Sequence, residues 1–175
     1  MILNLIERLS IAGMYVSGIG VFIMSILITI EILGRYFFGF SLLIVDEWSG
    51  YLLVMVTFLG LAYTMQTRGF LQIEFLLNRL SYRKRHLFNL FLILLALVYS
   101  FIIGWKLILY TWSNYSAGIV SVSISQTPLY IPQLFMPLGM ALLILQLISE
   151  AIRSILRLME LIPAPENGSE RSNLK

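Results

Sequence analysis

The sequence predicts an all-α integral membrane protein with four transmembrane helices. Three observations lead there. Charged residues make up only 12% of the 175-residue chain, while 59% are apolar. Soluble domains carry roughly 25% charge, which this composition cannot supply to a watery surface. Four stretches near the length of a bilayer crossing contain no charged side chain. Finally, Lys and Arg gather on one side of those stretches.

A helix needs about 20 apolar residues to cross a hydrocarbon layer of about 30 Å. Ile11 to Ile30 is the first such run, closed by Glu31. Trp48 to Thr67 is the second, between Glu47 and Arg68. Leu87 to Trp105 is the third, between His86 and Lys106, and Pro128 to Ser149 is the fourth, closed by Glu150. With looser edges the spans are 11–33, 48–67, 87–110 and 128–150, in a single membrane domain over 1–162. The tail 163–175, PAPENGSERSNLK, is polar and predicted to be disordered. The first run is longer than a signal-peptide core, and Glu7 beside Arg8 removes the net positive flank. It reads as a retained helix.

Orientation follows from the basic residues. Ten of the twelve precede the first run, lie between the second and third, or follow the fourth. Only Arg35 and Lys106 fall on the opposite side. Both termini are therefore predicted to be cytoplasmic, with segments 36–46 and 111–127 facing outward. Trp48, Trp105 and Trp112 fall at outer span ends, as in an aromatic belt. The net charge of +3 thus follows the membrane topology and does not mark a nucleic-acid surface.

Function classes fall away by composition. Cysteine is absent and His86 is the single histidine, so disulfides, thiolate chemistry and bis-histidine haem ligation are excluded within the chain. No nucleotide loop, metal-spaced cluster or catalytic triad appears, and the reading is of a protein that is not an enzyme and holds no cofactor. The uncharged run from Leu107 to Ser149 is too long for one crossing. It is broken by Asn114, Ser116, Gly118, Ser121, Ser123, Ser125, Gln126 and Thr127. Residues 120–125 alternate apolar and serine, which suits an extended segment. Pro132 and Pro137 predict a kink or an irregular outer half in the fourth helix.

A few residues stand out as sites. Glu31 and Arg35, four apart, share a helix face and form a structural ion pair, or else Glu31 is a functional carboxylate. Asp46 and Glu47 open the second helix. They serve either as cap and dipole partners or, with Trp48, as an outer docking edge. Gly13, Ser17 and Gly20 lie on one face of the first helix and permit close helix approach. The stretch 70–80, FLQIEFLLNRL, reads as a short amphipathic helix along the inner surface. Arg83, Lys84 and Arg85 follow it at headgroup level, where they orient the chain or contact anionic lipid. The connection 36–45, YFFGFSLLIV, is too apolar for a free loop and suggests cover by a partner.

Taken together, these blocks resemble the DctQ-like small membrane subunit of tripartite ATP-independent periplasmic (TRAP) transporters. The resemblance rests on Arg35-Tyr36-Phe37-Phe38 followed by Asp46-Glu47-Trp48. It continues through Leu52 to Gly60, Arg68-Gly69 and Ile73-Glu74-Phe75-Leu76. It ends on Gln126-Thr127-Pro128, Ile131-Pro132 and Pro137-Leu138-Gly139, and covers about residues 10–155. One departure is the order Asp46-Glu47-Trp48, where relatives often place an aromatic before the acids. The resemblance implies a bacterial inner-membrane subunit that braces a large subunit holding the substrate and sodium sites. Gly13, Ser17 and Gly20 would then pack against that subunit. A soluble periplasmic binding protein would deliver an organic acid, with Asp46, Glu47 and Trp48 as candidates for part of its docking surface. The competing expectation is a self-sufficient proton-coupled exporter, acting as a homo-oligomer with Glu31 as proton carrier.

Overall fold

The computed structural model describes residues 2–39, 43–67, 82–123 and 125–158. These form α1 (Ile2–Phe38), α2 (Leu43–Gln66), α3 (Tyr82–Ser116), the short α4 (Tyr130–Gln133) and α5 (Phe135–Leu158). Four stretches are long and apolar enough to cross a membrane: Leu5–Phe38, Ile44–Gln66, Leu87–Ser116 and Tyr130–Leu156. The amphipathic segment 70–80 and the tail 163–175 lie outside the described residues.

The helices outrun the boundaries drawn from charge. With 37 residues α1 is about 55 Å long, well beyond the hydrocarbon thickness. A charged residue ends an apolar run but not a helix, since the backbone ladder stays satisfied in headgroups or water. The start of α2 is corrected in the same sense. It begins at Leu43, so Asp46 sits in the first turn and not at the cap position.

α1 packs on α2, α2 on α5, and α5 on α3, so the helices form a row; α1 also reaches α5. The core lies on α5, where Met140, Leu143, Leu147 and Ala151 make a stripe at helical spacing. Ile93 of α3 completes it, with Phe58, Leu61 and Met65 of α2 and Leu97 and Ile103 of α3 packed around it. Gly139 marks the tightest crossing: a Cβ there would lie 2.3 Å from the Phe58 carbonyl oxygen.

Polar contacts pin the row at both ends. At the end where α1 begins and α5 finishes, Arg153 donates to Glu7, joining α5 to α1. Nearby, the buried Ser10 hydroxyl donates to Gln146 Oε1 at 3.3 Å. At the opposite end α3 closes on Gly118 at φ 61°. The Ile119 and Gly118 amides there bond back to the carbonyls of Asn114 and Tyr115. This is the glycine-terminated helix end in which the two amides satisfy the last carbonyls. A hairpin follows, with Val120 bridged to Pro128 and the Ser121 amide donating to the Thr127 carbonyl at 2.9 Å. We call this the hairpin end. The break expected from the prolines is present, at Leu134 between α4 and α5. Pro137 has no N–H to give the Gln133 carbonyl, and it is tolerated because it falls in the first turn of α5.

Candidate functional site at the hairpin end

The acidic pair of α2 is the organising feature. Successive residues on a helix point about 100° apart, and Asp46 and Glu47 accordingly enter different surroundings. Asp46 lines a cleft of about 470 Å³ with Ile28, Glu31, Ile32, Arg35 and Tyr36 of α1 and Val45 of α2. Three charged residues singled out in the sequence, Glu31, Arg35 and Asp46, thus share one cavity.

Within it, Arg35 Nη2 donates to Glu31 Oε1 at 2.8 Å. The partners differ in surroundings: the Glu31 side chain is 7% exposed and that of Arg35 60%. A buried carboxylate needs a partner, and a guanidinium one turn away supplies it while staying partly wet.

Glu47 turns the other way. It accepts hydrogen bonds from the hydroxyls of Tyr51, Ser123 and Ser125. The Ser123 hydroxyl also lies 2.9 Å from that of Ser121, and the Ser125 hydroxyl 2.8 Å from that of Thr127. One carboxylate of α2 therefore gathers a ladder of hydroxyls and ties the hairpin to the helix. The alternation at 120–125 was visible in the sequence; its acceptor, more than seventy positions earlier in the chain, was not. With the serines turned inward, Val122 is fully exposed and Val120 is 46% exposed. A second tie was missed altogether: buried Asn114 donates through Nδ2 to Gln133 Oε1 at 2.7 Å, joining α3 to α4. Polar residues in an apolar run were the available signal.

Trp48 is half exposed and meets Tyr51 edge-on, with ring centroids 6.4 Å apart. Arg83, Lys84 and Arg85 fall in the opening turn of α3, with side chains outside the described set. The small-residue face of α1 requires a correction. Gly13, Ser17 and Gly20 are covered by α2 of the same chain, not left open for another subunit. A Cβ on Gly13 would lie 2.8 Å from the Leu59 carbonyl oxygen, and one on Gly20 2.6 Å from the Met55 methyl. Ser17 donates to the Val56 carbonyl at 3.2 Å. Small residues signal close approach, and the nearest approaching helix is in this chain.

A second cavity, of about 420 Å³, lies between α3 and the α4–α5 break. Trp112, Tyr115, Tyr130, Leu134 and Pro137 line it, with Thr111. The Thr111 hydroxyl is buried there with no hydrogen-bond partner among the described residues.

Among the described residues there is no group of three or more His, Cys, Asp or Glu placed to hold a metal ion. Comparison with curated proteins gives no match. Residues 24–157 match the family described as Tripartite ATP-independent periplasmic transporters, DctQ component. The match takes in the cleft, the hydroxyl ladder and the proline break, and begins after Gly13, Ser17 and Gly20. It spans well over half of the 175 residues. Four helices able to cross a membrane accompany it, and the chain belongs to the DctQ component family of TRAP transporters, as a multi-pass membrane component of a transport system.

Proposed function

We propose that this chain is the small permease subunit that braces the large, ion-coupled subunit of its transporter in the bacterial inner membrane. The observation that carries the proposal is apolar surface that the chain does not cover itself. From Val21 to Ile30, α1 has no buried residue, and Phe22 is 68% exposed. Leu95, Val98, Phe101 and Ile102 of α3 are all more than half exposed. Lipid covers some of this surface, and a large membrane partner covers the rest. The aromatic cavity beside the α4–α5 break offers a socket for a partner side chain. Uptake would be driven by a cation gradient, with sodium and the organic acid bound in the large subunit. The basic residues support both termini being cytoplasmic.

The exporter reading loses its motive. Among the described residues the buried charged side chain is Glu31, and Arg35 already holds it one turn from the end of α1. Reconstitution tests the proposal. The purified chain alone should move no substrate in proteoliposomes, while the chain with its large subunit and binding protein should restore cation-driven uptake. Uptake by the chain alone would sink the bracing role.

We further propose that the hairpin end helps dock the soluble binding protein. Glu47 is engaged inside the chain, so this role falls on Trp48 and the outward valines. Val122→Asp should lower uptake at limiting binding protein while leaving the membrane complex assembled. Unchanged uptake would remove the idea.

A further inference from the structure

We infer that the aromatic cavity between α3 and the α4–α5 break is a binding site for a quaternary ammonium group. Its walls point there first. Trp112 and Tyr115 of α3 and Tyr130 of α4 line a single cavity of about 420 Å³. The Tyr115 and Tyr130 rings stand at 83° with centroids 5.1 Å apart, so two walls meet at a corner. Trp112 extends the wall, 5.7 Å from Tyr115 and tilted by 42°. Trp112 is 66% exposed and Tyr115 55%, so much of both rings is open to a ligand. An aromatic face is negative and attracts a cation placed over it, most strongly at Trp.

The rest of the lining selects among cations. Among the described residues no charged side chain lines the cavity. A primary ammonium brings three N–H donors and a guanidinium five, and an uncharged wall leaves most of them without acceptors. A quaternary ammonium has no N–H to satisfy and presents its methyl groups to the rings. Lys106, the nearest charge along α3, does not oppose it. At about 100° per residue it lies on the opposite side of the helix from Ile108, Thr111 and Tyr115. Thr111 is 7% exposed and lines the same cavity, and its hydroxyl has no hydrogen-bond partner among the described residues. A ligand with one polar arm beside its cation, as choline has, would supply that partner.

Depth agrees. Leu87 follows the basic run 83–86, and about 20 residues, or 30 Å, bring α3 to Lys106 at the far edge of the hydrocarbon. Thr111, Trp112 and Tyr115 lie beyond that edge, at headgroup level, where a charged group reaches them from water or from a lipid.

The test uses the full chain alone in maltoside detergent, so its outcome is independent of the socket role proposed above for a partner side chain. Choline would be titrated against dimethylbutanol, its uncharged isostere with carbon in place of nitrogen. Binding would be read by saturation-transfer NMR on the ligand methyl signals. Choline should bind about tenfold more tightly than the isostere, as attraction to several partly exposed rings allows. Tyr115→Leu, which keeps an apolar wall without the ring, should bring choline to the level of the isostere. Tyr115→Phe keeps the ring and should keep the preference, as should Trp105→Leu outside the cavity. No binding of choline, equal binding of the two ligands, or an unaltered preference in Tyr115→Leu overturns the inference. Repeating the choline titration in phosphatidylglycerol bilayers with and without phosphatidylcholine separates the sources of the group. Choline binding that survives added phosphatidylcholine supports a free solute as occupant, and its loss supports a lipid headgroup.

Discussion

Two helical stretches of this chain are about equally apolar and have opposite surroundings. On α5, Met140, Leu143, Gln146, Leu147, Ser149, Ala151 and Ser154 are all buried. On α1, no residue between Val21 and Ile30 is buried. Hydropathy reports that both cross a membrane and says nothing about which lies inside. The discriminating residues are the small and polar ones. α5 carries Gly139, Ser149 and Ser154, which allow close approach, and Gln146, which bonds to Ser10 of α1; in the exposed stretch of α1 the two hydroxyls, Ser25 and Thr29, bond to carbonyls of their own helix and the other residues are large and apolar. Where lipid is the solvent, packing and not hydrophobicity decides the interior.

The largest test of this contrast uses two glycines. Gly139→Ala drives a methyl into the Phe58 backbone and should cost about 3 kcal/mol or more, at the upper end of overpacking effects. Gly18→Ala on α1 meets nothing within 4 Å and should be neutral or slightly stabilising, since alanine favours the helix. Melting in detergent, followed by the fluorescence of the three tryptophans, reads both. Equal losses would break the comparison. A smaller effect is expected from Gln146→Leu, which removes the acceptor of the buried Ser10 hydroxyl and one link from α1 to α5. Such bonds between membrane helices average about 0.6 kcal/mol, and a shift of a few degrees or less is expected. Smallest for the isolated chain is Phe22→Ala, within about 0.5 kcal/mol as for other exposed positions. The same change should reduce copurification with the large subunit. An effect on the chain alone but not on the complex would reverse the assignment of that face.

Much of the architecture was legible because it is written in one dimension. Uncharged runs mark crossings, four-residue spacing marks the Glu31–Arg35 pair, and two prolines mark the break at Leu134. The family, too, was legible from the order of its blocks. What escaped is information about pairing across the chain. Gly13, Ser17 and Gly20 announce a close neighbour without naming it, and α2 proves to be that neighbour. Asp46 and Glu47 look like one acidic unit in the sequence. Helix geometry parts them, sending one into a cleft and the other to serines at 123 and 125. Helix ends escaped because charge stops a hydrophobic run long before it stops a hydrogen-bond ladder.

The serine ladder also constrains chain length. The Ser121 amide bonds to the Thr127 carbonyl and the Gln126 amide turns back on the Ser123 carbonyl, so the two serines that reach Glu47 sit within one closed turn. Deleting one residue between Ser121 and Ser123 would break that closure and draw a hydroxyl away from a carboxylate on a distant helix.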